Sequence, residues 1–172
     1  MVDDRGADAP PDVEAGVLAD RLKERIYATI TMIAVVVGLS LGEVGSLGAV
    51  ATVLTTALGL WLAAFVADQQ AHRTVHRRLA TGHELRRMLY VSSPLLSCAV
   101  GPAVLIALAA LGVLSLHAAL SAAAGVGVVS LFLWCCLGGL RMGGGVVTAL
   151  VAGLLDAAIG VAVALVKAAA GH

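Results

Sequence analysis

A single carboxylate interrupts the last apolar run of the chain, and it is the residue there with the greatest capacity for chemistry. Asp156 lies near the middle of residues 146–168, whose only other charged residue is Lys167. A charged group is costly at the centre of a bilayer, so such residues face the bundle interior and mark ion or proton pathways. Its neighbours at i−4 and i+4, Ala152 and Gly160, are small, which predicts that Asp156 points at protein. We interpret it as a cation or proton site or, alternatively, as a hydrogen-bonded carboxyl that ties helices together.

A second candidate site lies in the polar stretch 68–90, between two apolar runs. On one helix, His72, His76 and His83 would fall within about 40° of one another, with Asp68 about 40° to the other side. Imidazole and carboxylate groups are ligands for Zn, Fe or Mn. Because His83 would lie about 10 Å beyond His76 along the axis, only His72 and His76 are predicted metal ligands. Asp68 is predicted as a second acidic residue of the ion site.

The same stretch carries the largest group of basic residues in the chain. Its members are Arg73, Arg77, Arg78, Arg86 and Arg87. Basic residues next to a membrane span attract anionic lipid headgroups. The alternative to metal binding is therefore a helix whose arginines bind anionic lipid or a soluble partner.

Composition places most of this chain in lipid. Of 172 residues, 60% are hydrophobic and 13% charged, and the mean hydropathy is +0.98. A soluble domain of this length could not bury so much apolar surface, and the composition also excludes a disordered chain and a nucleic-acid-binding domain. We see no phosphate-binding loop, HExxH motif or Ser/His/Asp arrangement, so no enzyme and no catalytic residue is predicted. The one cofactor that the side chains suggest is a divalent metal ion.

Hydropathy predicts an all-α integral membrane bundle of five transmembrane helices. The predicted spans are 26–41, 47–67, 91–114, 118–140 and 146–168, with a short cytoplasmic helix over 68–90 between the second and third. Residues 1–25 are predicted to form an acidic disordered lead and a short interfacial amphipathic helix. Pro94 and the Gly101-Pro102 pair predict kinks in the third span.

The distribution of charge predicts the orientation. With the N-terminus inside, ten of the eleven basic residues lie on the cytoplasmic side, which is a strong positive-inside bias. We therefore expect a multi-pass protein of the plasma membrane with a cytoplasmic N-terminus and an external C-terminus. Five helices with small-residue faces bury little surface alone, and a two-fold pair is the commonest assembly, so a homodimer is expected.

The order of these elements resembles the vacuolar iron transporter family. The likeness lies in a short amphipathic helix, two spans, a cytoplasmic insertion and three further spans, and in two local segments, 137–141 and 154–160. It implies a transporter-like fold that moves a divalent cation of the Fe/Mn class. Where that family carries an Asp in its first span, residues 27–31 of this chain contain no carboxylate. The alternative is a non-transporting membrane scaffold or a component that binds lipid or a partner.

Overall fold

The predicted all-α bundle is confirmed. The structure, a computed structural model, describes residues 11–141 and 145–170, and every regular element in these ranges is an α-helix. The helices are α1 Pro11–Leu41, α2 Ser46–His76, α3 His83–Ser97, α4 Val100–Ala110, α5 Leu116–Arg141 and α6 Gly145–Ala170. With α3 and α4 taken together, they give five helices that are long and apolar enough to cross a membrane. The first ten residues of the predicted disordered lead lie outside the described ranges.

The first span is longer than hydropathy indicated. The predicted interfacial helix within residues 13–25 is not a separate element, because α1 runs without a break from Pro11 to Leu41. No proline or glycine lies between residues 17 and 37 to end it. An unbroken helix also keeps its backbone groups hydrogen-bonded where the chain enters lipid. The polar first half of α1 is therefore a rigid extension of the span.

The segment 68–90 is not the single helix that was predicted. Its first part is the last part of α2, which ends at His76, and its last part begins α3 at His83. Arg77 adopts a left-handed conformation (φ 55°) and its N–H bonds the carbonyl of Arg73. Gly82 has φ 57° and ψ −120°, a conformation that favours glycine. The chain thus reverses over residues 77–82, and we call α2, this turn and α3 the helical hairpin.

The third span breaks where its prolines predicted a kink. It divides into α3 and α4 at Cys98 and Ala99, whose N–H groups bond the carbonyls of Pro94 and Leu96. Pro102 is the third residue of α4. Proline is tolerated in the first turn of a helix, because an N–H there has no intrahelical partner. The break therefore costs few backbone hydrogen bonds.

Glycine allows close approach of the helices at the centre of the bundle. α1 packs against α2, α3, α5 and α6, and the most extensive contact is between α5 and α6. A Cβ on Gly139 would lie 2.8 Å from the Cα of Ala149 in α6, and a Cβ on Gly127 would lie 2.7 Å from Cγ1 of Ile33 in α1. Small residues at crossing points are the usual way in which membrane helices pack.

Candidate functional site

The topology gathers the described basic side chains at one end of the bundle. The polar half of α1, the last turns of α2 and the first turn of α3 all lie there, since α1 and α3 begin at this end and α2 finishes at it. These side chains are Arg21, Lys23, Arg25, Arg73, Arg77, Arg78, Arg86 and Arg87. We call this region the basic end. Three cavities lie at or next to it.

The largest cavity is a groove of about 660 Å³ between α1, α3 and α5, here called the outer groove. Two arginines one helical turn apart on α1 line it, and each guanidinium lies over an aromatic ring. The guanidinium carbon of Arg21 is 3.9 Å from the ring centroid of Tyr90, and that of Arg25 is 4.2 Å from the ring of Trp134. Cation–π contacts of this kind hold arginine side chains in a defined place.

A smaller cavity of about 230 Å³ adjoins the groove on the membrane side, and we call it the inner cavity. It lies between α1, the α3–α4 break and α5, and most of its wall is aliphatic. Its hydroxyl groups include those of Thr29 and Ser97, whose O–H groups donate to the carbonyls of Arg25 (2.8 Å) and Pro94 (3.2 Å) in their own helices. Arg25 and Trp134 line both cavities.

Sequence reasoning missed this pair of cavities. No candidate site at Arg21, Arg25 or Trp134 was identified from the sequence. One signal was available, because two arginines at i and i+4 lie on the same face of a helix. The aromatic partners could not be found from sequence, since Tyr90 and Trp134 belong to other helices.

The predicted histidine site is the third cavity, of about 440 Å³, between α1, α2 and α3. We call it the histidine cavity, and its polar lining consists of Asp20, Asp68, His72, His76, His83, Glu84 and Arg87. The structure thus brings together the three histidines and Asp68 of the predicted constellation. It adds Asp20 from α1 and Glu84 from α3, which were not part of the predicted site.

His72 is largely enclosed within this cavity. It is 9% exposed, and its ring centroid lies 4.4 Å from that of His76. Its Nε2 atom has no hydrogen-bond partner among the described residues and lies 3.5 Å from Oε2 of Glu84. Glu84 in turn accepts two hydrogen bonds from Arg78, of 2.7 and 2.6 Å. These bonds raise the pKa of the Arg78 guanidinium.

The geometry of the histidine cavity is not that of a formed metal centre. Within residues 11–141 and 145–170, no three His, Cys, Asp or Glu side chains are placed so that they could hold one metal ion. The rings of His72 and His76 face each other at a tilt of 38°. The two predicted ligands are therefore neighbours, and the described side chains supply no third ligand in position.

Asp156 is exposed, although its small neighbours predicted that it points at protein. The buried face of α6 consists of Ala149, Gly153, Ala157, Gly160 and Ala164. Their spacing of three or four residues defines a stripe, and Asp156 lies about 60° from its centre. The small residues are thus the contact surface itself, and the carboxylate sits at its outer edge. Asp156 and Asp68 do not share a site, because Asp68 lines the histidine cavity on α2.

The five arginines predicted to bind lipid or a partner surround the tip of the helical hairpin. Arg78 is paired with Glu84 and Arg87 lines the histidine cavity. Arg73, Arg77 and Arg86 are exposed. Among the described residues, no ion pair is formed by Arg73, Arg77 or Arg86, so these three present positive charge at the basic end.

One further motif, a match to the nucleophile elbow, does not lie in the kind of turn that this motif requires. Residues 38–42 read G-x-S-x-G, the spacing of a nucleophile elbow. That elbow requires a sharp turn between a strand and a helix. Ser40 instead lies near the end of α1, where its hydroxyl donates to the carbonyl of Val37 at 2.7 Å. The match gives no candidate nucleophile.

Comparison with known proteins adds no relative to this picture. The chain matches no protein-family model, no curated protein and no solved structure.

Proposed function

We propose that this chain, an integral membrane protein of five spans, binds an anionic lipid headgroup in its outer groove. The observation that supports this most directly is the pair of arginines, Arg21 and Arg25, held side by side over Tyr90 and Trp134. A guanidinium that lies on a ring still has N–H donors at its edge, and these suit a phosphate group.

Within the described part of the chain, the carboxylates next to the groove are paired with a different residue. Among the described residues, the ion pairs of Asp20 and Glu24 go to Lys23, at 4.0 and 3.9 Å. Neither Arg21 nor Arg25 forms an ion pair with a described carboxylate. An anion in the groove would supply the missing countercharge.

The orientation that we propose puts this groove at the cytoplasmic leaflet, where anionic lipids are found. By the positive-inside rule the basic end is cytoplasmic, which makes the N-terminus internal and the C-terminus external. In a plasma membrane the cytoplasmic leaflet holds the anionic lipids, and each basic residue near its surface contributes about 1 kcal/mol of attraction. The hairpin arginines would then hold the surrounding headgroups less specifically.

The test compares two variants with the same change in charge. We expect R21Q/R25Q to lose most of the phosphatidylglycerol that stays bound to the purified protein, as counted by native mass spectrometry. The matched control, R73Q/R77Q, removes two exposed hairpin arginines and should keep it. Phosphatidylcholine should bind poorly to all forms. Equal retention by R21Q/R25Q and wild type would contradict the proposal.

Divalent cation transport is the second candidate, and the histidine cavity favours it. The cavity offers an enclosed imidazole nitrogen on His72 next to the carboxylates of Asp68 and Glu84. The resemblance to the vacuolar iron transporter family implies the same activity. Its test is Fe²⁺ and Mn²⁺ uptake into proteoliposomes by wild type, D68N and H72A/H76A. Uptake by wild type equal to that of empty vesicles would remove this candidate.

A homodimer also remains a proposal, and the exposed carboxylate of Asp156 is what supports it. A second copy of the chain against this side of α6 would remove that group from lipid. Light scattering of the detergent-solubilised protein, corrected for bound detergent, distinguishes one chain from two.

A further inference from the structure

We infer that the outer groove and the inner cavity form one site for a single-chain anionic amphiphile. Its headgroup would lie on Arg21 and Arg25, and its hydrocarbon chain would enter the inner cavity. This inference rests on the proposed function and extends it by naming the class of ligand.

The two cavities adjoin through a shared pair of side chains. Arg25 and Trp134 are the residues common to both linings. A ligand that binds in the groove is therefore next to the entrance of the inner cavity. With the Arg25 guanidinium 4.2 Å above the indole ring, the pair forms the boundary that a hydrocarbon chain must pass.

The chemistry of the walls changes across that boundary. On the groove side are two guanidinium groups and the ring of Tyr90. On the membrane side most of the wall is aliphatic, with Met32, Val36 and Leu105 among its residues, and its hydroxyl groups are those of Thr29, Ser97 and Ser130. The hydroxyls of Thr29 and Ser97 donate their protons to their own helices, so they present no donor to a ligand. The charged groove and the apolar inner cavity therefore follow one another in the same order as the headgroup and the hydrocarbon chain of an amphiphile.

The size of the inner cavity limits what can enter. Its volume of about 230 Å³ exceeds the roughly 150 Å³ of a cavity that holds benzene. It has room for part of one alkyl chain and not for two chains side by side. A two-chain phospholipid could place its headgroup on the arginines, but at least one of its chains would stay outside in the bilayer.

The position of the cavity at the α3–α4 break is consistent with this use. Irregular backbone at membrane depth is tolerated where it is buried in protein or lines a cavity. Pro94 and Pro102 both line the inner cavity. The break therefore leaves space that a straight third span would fill.

The experiment separates the chain of the ligand from its headgroup. Ser130 lines the inner cavity, and S130F fills it, while V129F puts the same ring on the exposed side of the same helix. Binding of lysophosphatidylglycerol and of phosphatidylglycerol is measured for both variants in detergent by native mass spectrometry. We expect S130F to bind the single-chain lipid at least tenfold more weakly and to lose less of its affinity for the two-chain lipid, because at least one chain of that lipid stays outside the cavity in any case. V129F should bind both like wild type.

A second measurement applies if S130F does not fold. Wild-type protein is photolabelled with a lysophosphatidylglycerol that carries a diazirine at the end of its chain. Labels on residues of the inner cavity, such as Met32, Ser97 or Ser130, are expected, and labels confined to α2 and the exposed side of α6 would overturn the inference. Unchanged binding of the single-chain lipid to a folded S130F would also overturn it. The proposed function fails separately, if R21Q/R25Q retains phosphatidylglycerol as wild type does.

Discussion

Nε2 of His72 lies 3.5 Å from Oε2 of Glu84, although the two residues are twelve positions apart in the chain. On a straight helix they would be about 18 Å apart along the axis. They meet because the chain reverses over residues 77–82, where Arg77 and Gly82 both have positive φ. The turn brings the end of α2 next to the start of α3, and residues of both helices line the histidine cavity.

Replacing Gly82 with alanine should destabilise the helical hairpin. Its φ of 57° and ψ of −120° are sterically unfavourable for a residue with a Cβ, with a cost of about 1–3 kcal/mol. We expect a lower Tm for G82A in detergent. G59A is the matched control, because a Cβ at either glycine meets no atom within 4 Å and Gly59 lies in regular helix. Equal Tm values for the two variants would show that the turn adapts without strain.

Replacing Gly139 with alanine should separate α5 from α6. Its Cβ would lie 2.8 Å from the Cα of Ala149, and backbone cannot move aside as a flexible side chain can. Overpacking of this kind costs about 1–3 kcal/mol, so unfolding of G139A in detergent should need less denaturant. The neighbouring variant G138A, whose Cβ meets nothing within 4 Å, should unfold like wild type. A wild-type midpoint for G139A would mean that the helices cross elsewhere.

Replacing Trp134 with alanine should weaken anionic lipid binding. The ring holds the guanidinium of Arg25, and such contacts are worth about 0.5–2 kcal/mol, or a few-fold to about thirtyfold in affinity. We expect the loss in a titration with phosphatidylglycerol followed by native mass spectrometry. W61A, which removes a tryptophan that stacks on Phe65 at 6.1 Å, should bind as wild type does. Loss of binding in both variants would point to a general effect on the fold.

Replacing Asp156 with leucine should stabilise a single chain in a lipid nanodisc. The carboxylate is exposed on α6 at the depth of the span, and a central Asp costs about 2.5–3.5 kcal/mol on insertion scales. We therefore expect D156L to have a higher Tm than wild type, and the double variant L155D/D156L, which moves the carboxylate by one residue, to have no such gain. A lower Tm for D156L, together with a change in oligomeric state, would show instead that a second copy uses this group.

The sequence was sufficient for the elements that depend on local composition. The five spans and the kink at Pro94 and Pro102 followed from hydropathy and from the missing N–H of proline. The helix ends were less predictable. The polar residues before Ile26 and after Ala67 continue the helices of their spans, because backbone hydrogen bonding does not depend on the polarity of the side chains.

The candidate sites were only partly predictable, because some of their contacts lie within one helix and others lie between helices. His72 and His76 are neighbours on one helix, so their proximity followed from the helical repeat. Glu84 joins them only because of a reversal that depends on φ at two positions. For Asp156 the local pattern was misleading. The small-residue face of α6 was identified correctly, but the carboxylate lies at the edge of that face and not within it.

By itself the sequence determined that this protein is a helical membrane bundle with most of its basic residues sorted to one end. Charged side chains and backbone groups without hydrogen bonds are unfavourable in lipid, and this constraint acts on each segment independently of the others. The tertiary structure alone decided that Arg21 and Arg25 of α1 would meet Tyr90 of α3 and Trp134 of α5. Such contacts depend on how helices cross and on how closely glycine lets them approach. Neither can be predicted from one segment alone.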